Sequence, residues 1–182
     1  MSIVSLVRGI AGFAADRRGI SAVEFAIMAP LMLTLCLGSV EATQGIALNR
    51  KVTLTTHALA DLASQYTDIT NADMSNILAA GSAIVAPYAA AGLSEVVSEI
   101  AVNGQGNATV VWSDTLNGSA LTVGTAVAIP ASLAVPDSYL VLAQVQYSYN
   151  PTYGYVMTGT LTLQDQIFMQ PRQSTSIART AQ

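Results

Sequence analysis

The sequence contains little of what catalytic and metal sites are usually made from. Its 182 residues include one cysteine, Cys36, and one histidine, His57. A disulfide framework needs paired cysteines, and most nucleophilic triads and zinc sites need histidine, so we expect no bound metal and no cofactor. Phosphate-binding, dinucleotide-binding, nucleophile-elbow and zinc-helix motifs are also missing. These shortages argue against an enzyme, although a paired-carboxylate mechanism using Asp114, Asp137 and Asp165 stays formally open.

Charged residues are scarce as well. They make up 10% of the chain, against roughly 25% in ordinary soluble domains. Three of the seven basic residues, Arg8, Arg17 and Arg18, precede the first long apolar run. Beyond residue 19 the chain has four basic and ten acidic residues. Recognition of nucleic-acid phosphates needs clustered Lys and Arg, which this part of the chain does not have. This balance argues against a nucleic-acid partner.

The most apolar part of the chain lies near its N-terminus. Sixteen uncharged residues run from Phe25 to Val40, and the wider segment 20–48 is long enough to span a bilayer. Pro30 predicts a kink there, because it removes one backbone hydrogen bond. A heptad stripe follows, at Leu48, Val52, Thr55, Leu59, Leu62 and Tyr66. Together they predict one helix over about residues 21–64, half in the membrane and half packed on a head domain.

A short motif of charge, glycine and acid leads into the apolar run. It reads Arg17-Arg18-Gly19-Ile20-Ser21-Ala22-Val23-Glu24-Phe25, continues to Pro30, and is followed by Gly38-Ser39-Val40-Glu41. The order of basic leader, glycine, glutamate and apolar helix resembles the class III signal of type IV prepilins. The segment resembles the TadE-like family, whose members are minor pilins or pseudopilins of the tight-adherence (Tad) pilus system. The likeness extends to Val110-Val111-Trp112, Tyr147-Ser148-Tyr149-Asn150-Pro151 and Gln170-Pro171-Arg172.

The resemblance implies that the chain is processed. A prepilin peptidase would recognise Arg17, Arg18 and Phe25 and cut between Gly19 and Ile20. The apolar helix would then pack against the helices of other pilins or pseudopilins. A conventional secretory leader is the main competitor for this segment, but its cleavage site would follow the apolar region.

Glu24 is the acid at the edge of the apolar run. A lone carboxylate there costs free energy, so the resemblance implies that Glu24 pairs with the new α-amino group of Ile20, on the same or a neighbouring subunit. An interfacial carboxylate without a partner is the alternative. Glu41 is expected at the far end of the span, either as an interfacial residue or as a second packing contact.

The resemblance also implies partners and a location. The partners are the prepilin peptidase, other pilins, the Tad inner-membrane assembly platform and the inner membrane. The basic residues before the helix place that end in the cytoplasm. The expected organisation is a removed leader at 1–19, a transmembrane and assembly helix at 20–48, and a periplasmic head at 49–182. Incorporation of this chain into the pilus is compatible with that organisation.

Beyond the long helix, the pattern predicts a second helix and a hairpin. Residues 67–71 break the long helix, and Asp73 can cap a second helix that ends before Pro87. A strand over residues 94–102 then alternates apolar residues with Glu95 and Glu99, as expected when one face meets water. The turn Asn103-Gly104-Gln105-Gly106-Asn107 leads to a return strand at 108–114.

The C-terminal third predicts a long loop and two more strands. The loop covers residues 115–137 and contains a short strand near 126–129. One strand runs from Tyr139 to Tyr149, with its odd-numbered residues toward the helices. Another runs from Val156 to Met169, with Leu161, Leu163 and Ile167 buried. We expect a frayed tail from Gln170. The whole pattern predicts an α+β fold, a long N-terminal helix packed on a small antiparallel-sheet head of about four strands, as in pilins.

Two other functions stay open. The first is a single-pass, membrane-anchored periplasmic binding module that uses the 115–137 loop and the tyrosines at 147, 149, 153 and 155. Packing of these tyrosines in the core is the alternative for that cluster. The second is an anchored hydrolase that uses the head carboxylates.

Overall fold

The computed structural model describes residues 18–151 and 159–180, and in them a long helix precedes an α+β head. The two helices are α1 (Arg18–Ser64) and α2 (Asn71–Val85). The strands are β1 (Asp68–Thr70), β2 (Leu93–Val102), β3 (Ala108–Leu116), β4 (Ala126–Val127), β5 (Ser138–Tyr149), β6 (Leu161–Met169) and β7 (Ala178–Thr180). The α+β prediction is therefore confirmed.

Helix α1 has two halves with different surroundings. It is continuous over 47 residues and runs through Pro30, a length of roughly 70 Å at 1.5 Å per residue. Its first half is long and apolar enough to cross a membrane, and none of that apolar window is buried in the described chain. The hydroxyls of Thr34, Ser39 and Thr43 donate to helix carbonyls three or four residues earlier, so these polar groups are satisfied within the helix. This half fits a single-pass membrane anchor.

The second half of α1 packs on the head along the predicted stripe. Leu48, Val52, Thr55 and Leu59 are fully buried, and Leu62 and Tyr66 are partly buried against the same core. The buried face begins earlier than the stripe, at Glu41. The heptad spacing therefore identified the packed face of α1 correctly, because a helix buries residues three and four apart on one side.

Helix α2 begins differently from the prediction. Its N-cap is Thr70, and Asp73 is the third helical residue. The Asp73 N–H donates to the Thr70 hydroxyl at 3.2 Å, and the Thr70 N–H donates to the Asp73 carboxylate at 3.1 Å. These reciprocal bonds form a capping box. The Thr70 hydroxyl also donates to the Asp73 carboxylate at 2.6 Å, and this bond, followed by that from the Thr70 N–H, lowers the pKa of Asp73. The sequence prediction assigned the cap to the wrong member of this pair.

The main sheet has five strands in the described chain, in the order β4-β3-β2-β5-β6, and its neighbours are antiparallel. Its inner face lies on α1 and α2, where Val97, Val141 and Tyr147 join the main core. Its outer face carries a second, smaller core around Ile100 and Leu142. Strand β3 runs to Leu116, two residues further than predicted, and the segment 117–137 that follows it covers this second core with Leu121, Val127, Ile129 and Leu133. The sheet thus has one strand more than predicted, and β2 is buried on both faces.

Strand β6 is shorter than the pattern predicted. It begins at Leu161, and the predicted start at Val156 lies outside the described residues. Leu163 and Ile167 pack against the main core as expected, but Leu161 is 38% exposed and was wrongly placed on the buried side.

The C-terminal segment is ordered, which overturns the predicted fraying. The Arg172 N–H donates to the Ser64 carbonyl at 2.8 Å, at the C-terminal end of α1, and the Arg172 side chain pairs with Asp61 at 2.5 Å. Ile177 is 1% exposed, and β7 then pairs in parallel with β1. Polarity predicted a loose tail, but one apolar side chain and its backbone bonds hold the segment on the core.

The packed stripe of α1 gives a direct stability test. Leu59→Ala should lower the free energy of unfolding by about 2 to 5 kcal/mol, because it leaves a cavity in the main core. Leu54→Ala, five residues earlier and 59% exposed, is the matched control and should change it by less than about 0.5 kcal/mol. Urea unfolding of the detergent-solubilised chain can be followed by the fluorescence of Trp112, the sole tryptophan. Equal effects of the two variants would contradict the packing described for α1.

Candidate functional site

The candidate processing residues lie in the first turns of α1. Apart from its chain neighbours and the adjoining backbone of α1, nothing in the described chain lies within 4 Å of the position that a Cβ would take at Gly19, and Ile20 and Phe25 are 57% and 72% exposed. Arg18 is the first helical residue, and Arg17 lies outside the described residues. The chain therefore presents the segment around the Gly19–Ile20 bond away from the head. Cleavage at this bond stays a prediction.

Glu24 is exposed on α1 and lies one helical turn after Ile20. Neither of the two ion pairs in the described chain involves Glu24. Residues four apart share one face of a helix, so a new α-amino group at Ile20 would be on the same side as this carboxylate. A neighbouring helix could bring its own N-terminus to the same face. The pairing role of Glu24 stays a prediction.

Glu41 lies at the junction of the two halves of α1. It is fully buried, which supports the packing contact over the interfacial position considered for it. The next turn contributes Gln44, whose side-chain oxygen accepts a bond from the Tyr149 hydroxyl at 3.2 Å. Burial, Tyr88 and the nearby Glu41 all raise the pKa of Tyr149. A cluster of polar side chains therefore fixes the point where the helix reaches the head.

The tyrosines of β5 belong to the core. Tyr147 and Tyr149 are about 5% and 4% exposed, and each makes an edge-to-face contact with Tyr88, at 6.4 and 6.5 Å between ring centroids. The Tyr147 hydroxyl donates to the Ala89 carbonyl at 3.0 Å. These two rings are therefore unavailable as an exposed binding platform. The tyrosines at 153 and 155 lie outside the described residues.

Glu95 is an acid inside the helix–sheet interface, and its predicted place in water is wrong. It is fully buried between β2 and the two helices, next to Thr55 of α1 and Gly81 of α2. A Cβ at position 81 would overlap the Glu95 carboxylate, so glycine there makes room for the acid. Both carboxylate oxygens and the Thr55 hydroxyl have no hydrogen-bond partner among the described residues. Burial raises the pKa of Glu95 from 4.5 to about 7.

Glu99 is also buried, but it has partners. Its carboxylate accepts the Ile177 N–H at 2.6 Å, and the Trp112 indole donates to the Ile177 carbonyl at 2.8 Å. Burial raises the pKa of Glu99, and the Ile177 N–H and then the nearby Trp112 indole partly oppose that rise. Two buried side chains thus hold both backbone groups of one tail residue, and this pair accounts for the ordered C-terminus.

Arg179 on β7 completes the attachment of the tail. Its guanidinium makes a bidentate pair with Asp114 of β3, at 2.8 and 3.1 Å, and also donates to the Ile69 carbonyl at 3.1 Å. The hydrogen bond with Asp114 is the largest cause that raises the pKa of Arg179. Asp114 therefore has a structural partner.

The three head acids considered for catalysis are not brought together. Asp114 on β3 and Asp165 on β6 are separated by two intervening strands, a distance of roughly 14 Å at 4.8 Å per strand. Asp137 lies just before the first residue of β5, whereas Asp165 pairs with Val145, seven residues further along that strand. Within the described ranges, no group of three or more His, Cys, Asp or Glu side chains could hold a metal ion. His57 is exposed on α1.

Sequence reasoning missed the buried residues Glu95, Glu99, Trp112 and Arg179 as structural centres. The alternation in β2 correctly put both glutamates on one face, opposite Val96 and Ile100. It could not show that helices cover the face with the acids. The glycine at 81, inside a helix, was the available signal that α2 lies very close to another element.

These features fit one class of protein: a chain with an α+β head whose one long apolar helix is suited to a single-pass membrane anchor. A comparison with known families gives a more specific result for the N-terminal segment. The model of the TadE-like protein family matches residues 19–61, which confirms the resemblance in the segment that contains most of α1. No curated protein and no solved structure matches the chain.

The buried acid predicts a pH-dependent stability. The folded state holds the Glu95 proton more tightly than the unfolded chain, so this stabilisation is complete below pH 4.5 and is lost as the pH rises through about 7. In the parent chain, Glu95 should lower the free energy of unfolding by about 2 to 3 kcal/mol as the pH rises from 5 to 8. Glu95→Gln should abolish this decrease. Urea unfolding at several pH values measures this slope.

Asp137→Asn is the matched control, because it makes the same acid-to-amide change at an exposed position. It should leave the pH slope of the parent chain unchanged. A Glu95→Gln chain with the full parental slope would show that Glu95 does not hold a proton in the folded head.

Proposed function

We propose that this protein is a minor pilin or pseudopilin of a Tad-type pilus assembly or secretion system, with a structural role in adhesion and no enzymatic role. The observation that carries the proposal is the TadE-like match over residues 19–61, which includes Gly19, Ile20 and Glu24. Membership of this kind implies association with Tad pilus components and a structural function.

The surface of α1 supports the proposal. Its first half exposes large apolar side chains at Ile20, Val23, Phe25, Ile27, Met28, Leu31, Met32, Leu33 and Leu35. Exposure of such a surface to water is unfavourable in free energy. We therefore expect lipid to cover it before assembly and other apolar helices to cover it afterwards. We propose that the helix inserts once in the inner membrane, with the N-terminus in the cytoplasm and the head in the periplasm.

Removal of residues 1–19 would act as the switch for assembly. The leader contains Arg8, Arg17 and Arg18, and charges of this kind are expensive inside apolar packing. Cleavage would remove these charges and create the α-amino group at Ile20 that Glu24 could pair with. The chemistry belongs to the peptidase, and this chain supplies the substrate and the building block.

Processing can be tested by substitution at the cleavage site. In cells that co-express a prepilin peptidase, the membrane-extracted chain should begin at Ile20, whereas Gly19→Arg should keep its leader because the peptidase needs a small residue at the cut. Gly9→Arg, which makes the same change away from the cut, should be processed normally. Intact mass and the N-terminal peptide give the readout. An intact parent chain, or one cut beyond residue 40, would contradict the proposed processing.

The role of Glu24 has a separate test. Glu24→Ala should insert in the membrane and be processed like the parent, but its share in the sheared pilus fraction should fall at least several-fold, because the new α-amino group loses its partner. Glu24→Asp keeps the charge and should retain more incorporation, and Ser21→Ala is the uncharged control in the same turn. Quantitative immunoblots of pilus and membrane fractions measure the shares. Normal incorporation of Glu24→Ala would exclude the ion-pair role.

The anchored binding module is the second candidate function. The described tyrosines do not favour it, since Tyr147 and Tyr149 lie in the core. An uncleaved chain that stays monomeric in the membrane would favour it over the pilin. The polar outer face of the sheet is the feature of the head that such a module would use.

A further inference from the structure

The outer face of the main sheet has a covered half and an open half. Leu140 and Leu142 lie under the segment 117–137 in the second core. The other half forms an open groove of about 840 Å³, which is within the size range of small-ligand sites. Its strand residues include Ser94, Gln144, Gln146, Ser148, Gln164 and Gln166.

The floor of this groove is an ordered array of amides. Gln144 lies directly opposite Gln166, Gln146 lies opposite Gln164, and Ser94 extends the second row from β2. The Gln144 side-chain N–H donates to the Gln166 side-chain oxygen at 3.1 Å, which leaves each amide with free donor or acceptor capacity. Strand spacing separates the side chains in a row by about 4.8 Å.

One wall of the groove is held in place by the chain that follows β3. Asn117 has a positive φ of 53°, and its side chain donates to the Leu93 carbonyl at 3.1 Å. Gly118 lies so close to the Ser94 side chain that a Cβ there would overlap the hydroxyl. The groove is therefore formed by the fold itself and needs no ligand to shape it.

The lining selects a neutral and hydroxyl-rich ligand. No Lys or Arg contributes to it among the described residues, which disfavours phosphates and other anions. Its one carboxylate, Asp165, accepts the Gln166 backbone N–H at 2.8 Å. The described lining also lacks the aromatic, Met and Arg side chains that are enriched in protein interfaces. Amides and hydroxyls, which both donate and accept, match the hydroxyl groups of sugars.

We propose that this groove is a binding site for a neutral carbohydrate chain. Side chains lie about 4.8 Å apart within a row, and the two rows lie about 6.8 Å apart, so a chain of sugar rings laid across the groove can meet side chains of both rows. Val96, which is 8% exposed and lies opposite Gln144, offers a small apolar surface for the C–H groups of a ring. The site is independent of the assembly role, since it uses the head alone.

The test uses the full chain in phospholipid nanodiscs, because the headgroups of maltoside and glucoside detergents are themselves sugars. Isothermal titration calorimetry is run with cellohexaose, maltohexaose and chitohexaose, and with hexagalacturonate as the anionic counterpart. The groove variant is Gln144→Ala with Gln166→Ala. Gln105→Ala, in the exposed turn between β2 and β3, is the matched control.

We expect saturable binding of at least one neutral hexasaccharide and none of hexagalacturonate. The double variant should weaken that binding at least tenfold, and Gln105→Ala should leave it unchanged. Gln166→Glu is a second variant, at a more exposed position, for use if the double variant does not fold as judged by Trp112 fluorescence. The proposal is overturned if no neutral hexasaccharide binds, if the anionic chain binds equally well, or if the groove variants bind like the parent.

Discussion

The packing of one face of α1 on the sheet is the contact on which the rest of the head depends. Buried residues recur along this face from Glu41 to Ala63, and they meet the main core formed by β2, β5 and α2. The same helix continues without a break into an apolar half that the head leaves exposed. The C-terminal half of α1 is thus buried against the head, whereas its N-terminal half exposes an apolar surface that is suited to lipid or to other helices.

Much of this arrangement could be predicted from the sequence because it rests on local signals. A heptad stripe marks the packed face of α1, and a Gly-rich turn marks the hairpin of β2 and β3. The motif from Gly19 to Glu24 likewise identified the segment that the TadE-like model matches. Each of these signals lies within a few residues of the feature that it predicts.

The errors share one cause, which is that burial depends on distant parts of the chain. Glu95 and Glu99 alternate like residues on a solvent-exposed face, yet the two helices cover Glu95 and the C-terminal segment covers Glu99. The tail is polar, but Glu99 and Trp112, far away in sequence, hold the backbone of Ile177. The amide groove also depends on strand register, since β2, β5 and β6 bring together residues that no local pattern connects.

The unbroken course of α1 has a mechanical consequence. The 24 residues from Glu41 to Ser64 extend along the head for roughly 36 Å, and the apolar half belongs to the same helix, with no loop between them. A change of about 20° in helix tilt, within the range seen for membrane helices, would therefore swing the far end of the head sideways by roughly 12 Å. Because no loop separates the two halves of α1, the head would move with any tilt of the helix.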